Sequence, residues 1–93
     1  MLAHPSKMRS IVEQEILDDE SKALFLDDFD EALIGSGSQY SKKLLAVYSA
    51  SKIIKCLIQQ GMTEEEALDY YSYNISCAWV GDGTPFIVHD YDQ

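Results

Sequence analysis

Apolar positions along this chain recur at helical spacing in three stretches, with short continuous apolar runs between them. From Ser6 to Leu17, Met8, Ile11, Val12 and Ile16 fall on one stripe. That spacing predicts a helix, with Ser6 as the residue that caps its first turn. Asp18, Asp19 and Glu20 follow, and three acids at a helix C-terminus oppose the macrodipole, so the helix is expected to end there. In Ser21–Phe29, Leu24, Phe25 and Leu26 are consecutive and Phe29 lies four residues beyond Phe25, which predicts a short second helix.

The next segments read as strands. Glu31–Gly35 is apolar through Ala32, Leu33 and Ile34 and runs into Gly-Ser-Gly-Ser, the pattern of a strand entering a loop. Lys43–Tyr48 carries Leu44, Leu45, Ala46 and Val47. It is apolar on both faces, so it is expected to be central or covered. Gly35–Lys42 is then the connection, long for a hairpin but not for a functional loop.

Ser49–Gln60 is the clearest helix. Ser49 or Ser51 caps it, Ile53, Ile54, Leu57 and Ile58 form its apolar stripe, and Gly61 follows its end. Thr63–Glu66 is a T-x-x-E capping box, which opens a further helix running toward Trp79. Leu68, Tyr71, Ile75, Ala78 and Trp79 share its inner face. Gly81-Asp82-Gly83 is a turn, Thr84–His89 a third strand with Pro85 at its start, and Tyr91–Gln93 a tail. The predicted order is α(α)ββααβ. The fold class is α+β, a small three-stranded, mainly antiparallel sheet covered by two to three helices. Residues 1–29 read as an N-terminal helical extension and residues 30–93 as the compact domain, within one globular unit.

Composition narrows this further. The chain has 93 residues, is 46% hydrophobic and carries a net charge of −9. That is one domain's length, and too apolar for disorder. No apolar stretch reaches the ~18 residues of a membrane span. Met1–Pro5 lacks the basic start and apolar run of a secretion signal, so a cytoplasmic protein is expected. The charge is blocked. Residues 1–31 hold nine acids and three bases, residues 32–62 hold four lysines and no acid, and residues 63–93 hold seven acids and no base. Such a surface steers basic partners inward and repels a phosphate backbone, so direct nucleic-acid binding is not expected. Cys56 and Cys77 show neither CxxC nor zinc-type spacing and read as free buried thiols.

Several segments could carry chemistry. Gly35, Ser36, Gly37, Ser38, Lys42 and Lys43 combine free backbone, hydroxyls and positive charge, the parts of an anion cradle. The P-loop spacing is absent, and a strand follows rather than a helix. A plain solvated loop fits the same residues. Tyr70, Tyr71 and Tyr73 cannot share a helix face. Tyr71 belongs inside, Tyr70 at the flank, and Tyr73 outside beside Asp69, as an interface anchor would be. Trp79 is expected to plug one end of the core. The sequon at Asn74 is a chance match without a secretion signal. His4 and His89 are the two histidines, and neither sits in a catalytic spacing, so no enzyme, metal site or cofactor is expected.

Residues 30–90 carry a recognisable combination. It comprises Asp30-Glu31-Ala32-Leu33-Ile34-Gly35, the strand ending in Tyr48, Gly61-Met62-Thr63-Glu64-Glu65-Glu66-Ala67, Asn74-Ile75, Ala78-Trp79-Val80-Gly81 and Thr84-Pro85-Phe86. This resembles a group of small acidic proteins of tailed phages and prophages. The resemblance implies an accessory protein acting on a host protein and supplies no site residue.

Three functional expectations result. The first is a non-enzymatic modulator or inhibitor that binds a basic surface of a host protein through Asp18, Asp19, Glu20, Asp27, Asp28, Glu64, Glu65, Asp69 and Tyr73. The second is a module for a small anionic, nucleotide-type ligand, using the Gly35–Lys43 loop and Tyr48. The third is a structural or oligomerisation domain, such as a homodimer, with Phe25, Phe29 or Tyr73 as anchors.

Overall fold

In the computed structural model, which describes residues 5–76 and 78–90, helix α1 spans Pro5–Asp18. A 3-10 turn at Asp30–Ala32 leads into strand β1 (Leu33–Gly37), and β2 covers Leu45–Ser49. Helices α2 (Ala50–Gln59) and α3 (Glu64–Tyr70) follow, then a π-helical turn at Tyr71–Ile75 and strand β3 (Phe86–Val88). The fold is α+β. His4, Cys77 and the Tyr91–Gln93 tail lie outside the described residues.

The sheet order is β1-β2-β3, so the doubly apolar strand is the central one. β1 and β2 pair antiparallel, whereas β2 and β3 pair parallel. The parallel pair follows from connectivity, because α2 and α3 lie between these strands and carry the chain back to the starting end. The register slips between Leu33↔Tyr48 and Gly35↔Val47, leaving Ile34 as the extra residue of a bulge. Gly35 takes φ +156 there, a backbone conformation that a side chain would strain.

One core serves all these elements. Val12 and Ile16 of α1 join Ala32, Leu33, Ala46, Tyr48, Ala50, Ile53, Cys56, Leu57, Ala67, Tyr71 and Ile75. The N-terminal helix therefore packs on the same core as residues 30–90. Arg9 fixes it further. Its Nη1 donates to Asp30 Oδ1 at 2.8 Å, its Nε donates to Glu13 Oε2 at 3.0 Å, and its guanidinium lies 4.1 Å from the centre of the Phe25 ring.

Four local expectations are corrected. α1 starts at Pro5, so Ser6 falls within the helix and not ahead of it. No helix forms over Ser21–Phe29. The backbone N–H groups there are spent elsewhere: Ala23 donates to Ser21 Oγ, Leu24 to Gly83 O and Leu26 to the Tyr48 hydroxyl. The helical stripes are also narrower than their apolar residues, since Ile11 and Ile58 are exposed and α2 buries Ala50, Ile53, Cys56 and Leu57. Last, α3 does not continue to Trp79. Asn74 Nδ2 donates to Tyr70 O, Ser76 Oγ donates to Ser72 O, and Ser76 N reaches back five residues to Tyr71 O. Side chains that bond to the helix's own carbonyls loosen the ladder, and the helix widens and stops. Trp79 is consequently 71% exposed and plugs nothing.

The caps of α2 and α3 match their sequence signals. Thr63 and Glu66 form the reciprocal capping box. Gly61, at φ +112, follows the α2 C-cap. Ser49 is fully buried, and its Oγ accepts from Lys52 N while donating to Asp90 Oδ2. Asp90 Oδ1 accepts from Ser51 N at 3.2 Å. A carboxylate just past β3 thus clamps the N-terminus of α2. The Ser49 hydrogen bond, aided by that from Ser51 N, holds the Asp90 carboxyl below its ordinary pKa. A lowered folded-state pKa stabilises above the unfolded value of about 4, and the contribution disappears as pH falls through the folded value. The stability difference between wild type and Asp90→Asn is therefore expected at neutral pH and lost in strong acid. Urea unfolding across pH checks it, and a constant difference down the acid range would contradict it.

Candidate functional site

The residues expected to bind a partner fall in three places. Asp18, Asp19 and Glu20 end α1, Asp27 and Asp28 form the turn before the 3-10 segment, and Glu64, Glu65 and Asp69 lie on α3. All are exposed except Asp19, which is partly buried.

The α1 group is largely occupied by the fold itself. Asp18 Oδ1 accepts from Gln14 Nε2 at 3.0 Å. Asp19 Oδ2 accepts from Leu44 N at 2.8 Å, and Lys43 Nζ donates to the Asp19 carbonyl at 2.9 Å. The hairpin thus brings a lysine of the positive block onto the first negative block. Sequence blocks of opposite sign are folded together here, and the local field is mixed.

The same contacts bear on the glycine-rich loop. Gly35, Ser36 and Gly37 sit within β1, with Gly35, Ser36 and Gly37 opposite Val47, Ala46 and Leu45 in the ladder. Ser36 Oγ donates to Glu15 Oε1 at 2.7 Å. Lys43 lies against the end of α1, while Ser38 and Lys42 are exposed at the hairpin end. An anion there would meet Glu15 and Asp19. Tyr48, expected beside that loop's ligand, is a fully buried core residue whose hydroxyl accepts from Leu26 N at 2.9 Å. Its burial pushes the phenol pKa up, so it offers no accessible acid.

α3 differs. Its capping box sets the helix start and leaves Glu64 and Glu65 pointing to solvent in the first turn, where the macrodipole favours them. Ala67, Tyr71 and Ile75 anchor the inner face. The opposite face then presents Glu66, Asp69, Tyr70, Tyr73 and Asn74, spaced at three and four residues. With Met62 these side chains line an open groove. Tyr73 is 78% exposed and Tyr70 is 42% exposed, in the arrangement expected for the tyrosine run. Glu66 Oε1 accepts from Thr63 N at 2.9 Å. Among the described residues Glu64, Glu65, Glu66 and Asp69 enter no ion pair.

Sequence reasoning found Asp69 and Tyr73 but missed Met62, Glu66, Tyr70 and Asn74 as lining. The signal was present in the spacing from Glu66 to Asn74, which places all five residues of that run on one helix face. Cys56 is a buried free thiol, as expected, and burial followed by the nearby Glu31 pushes its pKa up. Among the described residues no cluster of His, Cys, Asp and Glu is arranged to hold a metal ion, and no helix is long and apolar enough to cross a membrane. Compared with protein-family models, with curated proteins and with solved structures, the chain matches none.

Proposed function

We propose that this is a non-enzymatic accessory protein of the phage type that binds a basic surface of a host protein in the host cytoplasm and modulates or inhibits it. The α3 face is the centre of the docking surface. The observation that carries this reading is the grouping of Glu64, Glu65 and Asp69, none ion-paired among the described residues, with the exposed Tyr73. Carboxylates steer a basic partner and set its orientation, and an exposed tyrosine supplies contact area at low entropic cost. The Asp18–Glu20 and Asp27–Asp28 groups add to the long-range field. They are secondary because Lys43 and internal hydrogen bonds engage the first of them.

The test is capture of partners from a bacterial lysate at low and high salt, with quantitative mass spectrometry of bound proteins and small molecules. The expected result is a partner with a basic surface retained at low salt and released at high salt, because screening shortens the reach of exposed charges. A partner held equally at both would contradict the reading. So would a small anion released on denaturation, which would return attention to the hairpin loop. An oligomerisation domain is favoured by one further observation. Trp79, Val80 and Phe86 are exposed on the two arms of a turn closed by Val80 N donating to Thr84 Oγ1. A dimer that strengthens with salt, with no partner captured, would support that alternative.

A further inference from the structure

We infer that the α3 groove takes the side chain of an arginine carried on a basic segment of the partner, stacked on Tyr73 and held by Asp69 and Glu66. This rests on the docking reading above and names the group that would occupy its centre. The fold already contains one guanidinium site built from such parts. Arg9 lies 4.1 Å from the Phe25 ring centre and is gripped by two carboxylates, Asp30 at 2.8 Å and Glu13 at 3.0 Å. The groove offers an aromatic face and two carboxylates without a guanidinium of its own among its lining residues: Met62, Glu66, Asp69, Tyr70, Tyr73 and Asn74.

Chemistry selects arginine over lysine here. A guanidinium is planar, so it can stack on a ring while its edge N–H groups reach carboxylates lying at the side. Tyr73 lies four residues after Asp69, and Tyr70 four after Glu66, so each ring neighbours a carboxylate on the helix surface. Glu66 keeps one oxygen for its own cap, which leaves the other for a donor. Asp69 is exposed and enters no ion pair among the described residues. Met62 gives the guanidinium stem an apolar wall, and its own backbone is fixed by donation to Leu57 O at 3.2 Å. The seven acids and absent bases of residues 63–93 make the surrounding field cation-selective.

The experiment is a titration of the intact protein with short glycine-flanked peptides carrying one arginine, one lysine or one citrulline, followed by amide NMR. The arginine peptide is expected to perturb Met62 and residues 66–74 first. Tyr73→Leu and Asp69→Asn should each weaken it about two- to fivefold, the range for an exposed cation–aromatic contact. The lysine peptide should bind more weakly and the citrulline peptide not measurably. Equal binding of arginine and citrulline, or of arginine and lysine, would overturn the inference. Perturbations centred on Asp18–Glu20 or Asp27–Asp28 would do so as well. If Asp69→Lys abolishes partner capture while the arginine peptide leaves the groove unperturbed, the docking reading stands and the arginine assignment falls.

Discussion

Leu57→Ala is expected to lower the unfolding free energy by about 2–5 kcal/mol, the range for emptying a buried leucine position. Leu57 is 1% exposed and belongs to α2, a helix that packs against α3, the 3-10 turn and β2. Its loss leaves a cavity between elements that are themselves held by caps and by the sheet, so the site has little freedom to collapse. The neighbouring Ile58→Ala is the internal control. Ile58 is 39% exposed, so the same chemical deletion should cost well under half as much. Urea unfolding of both variants checks the pair. Equal losses, or a loss below about 0.5 kcal/mol for Leu57→Ala, would place the core on a different face of α2.

The second large effect is expected in binding. Replacing Glu64 and Glu65 by glutamine and Asp69 by lysine should weaken partner binding about ten- to hundred-fold, since each change removes an attraction and the last adds a repulsion. Glutamine is chosen at the first two positions because lysine in the first turn of α3 would oppose the macrodipole and unsettle the helix itself. Lysine at position 69, in the last turn, is compatible with it. The melting temperature of this variant should stay close to that of wild type, because all three side chains are exposed and none bridges to another element. A variant that melts normally and still binds would remove α3 from the docking surface. The matched change at Asp18, Glu20, Asp27 and Asp28 should weaken binding less and mainly slow association.

Local signals carried much of this fold. The caps at Ser49 and Thr63, the glycine after α2, the central position of the Lys43–Tyr48 strand and the inward turn of Tyr71 all follow from spacing and side-chain chemistry. What failed depended on distant partners or on side chains that bond to the helix's own carbonyls. Ser21–Phe29 has a plausible helical pattern, but Gly83 and Tyr48, far along the chain, take its N–H groups. Trp79 looks like a core plug until Asn74 and Ser76 bond to the preceding turn and the helix ends short of it. The parallel β2–β3 pair is invisible to periodicity and comes from the two helices between the strands.

The candidate site was legible to the same extent. Charge blocks pointed to acidic surfaces, and an exposed Tyr73 beside Asp69 was readable from helix geometry. Which acids remain available was not. Asp19 and Lys43 are 24 residues apart, and only folding shows that they meet. That contact sets a lysine beside the α1 group, whereas residues 63–93 carry no base.

The central claim is that the α3 face docks a basic partner, and the most direct measurement is the affinity of the captured partner at low and high salt. Wild type and the Glu64→Gln, Glu65→Gln, Asp69→Lys variant would be titrated side by side. The account predicts that wild-type affinity falls steeply as the Debye length shrinks from about 10 Å at 0.1 M to about 3 Å at 1 M, with the variant weaker and flatter throughout. Parallel curves of equal affinity for the two proteins would contradict it.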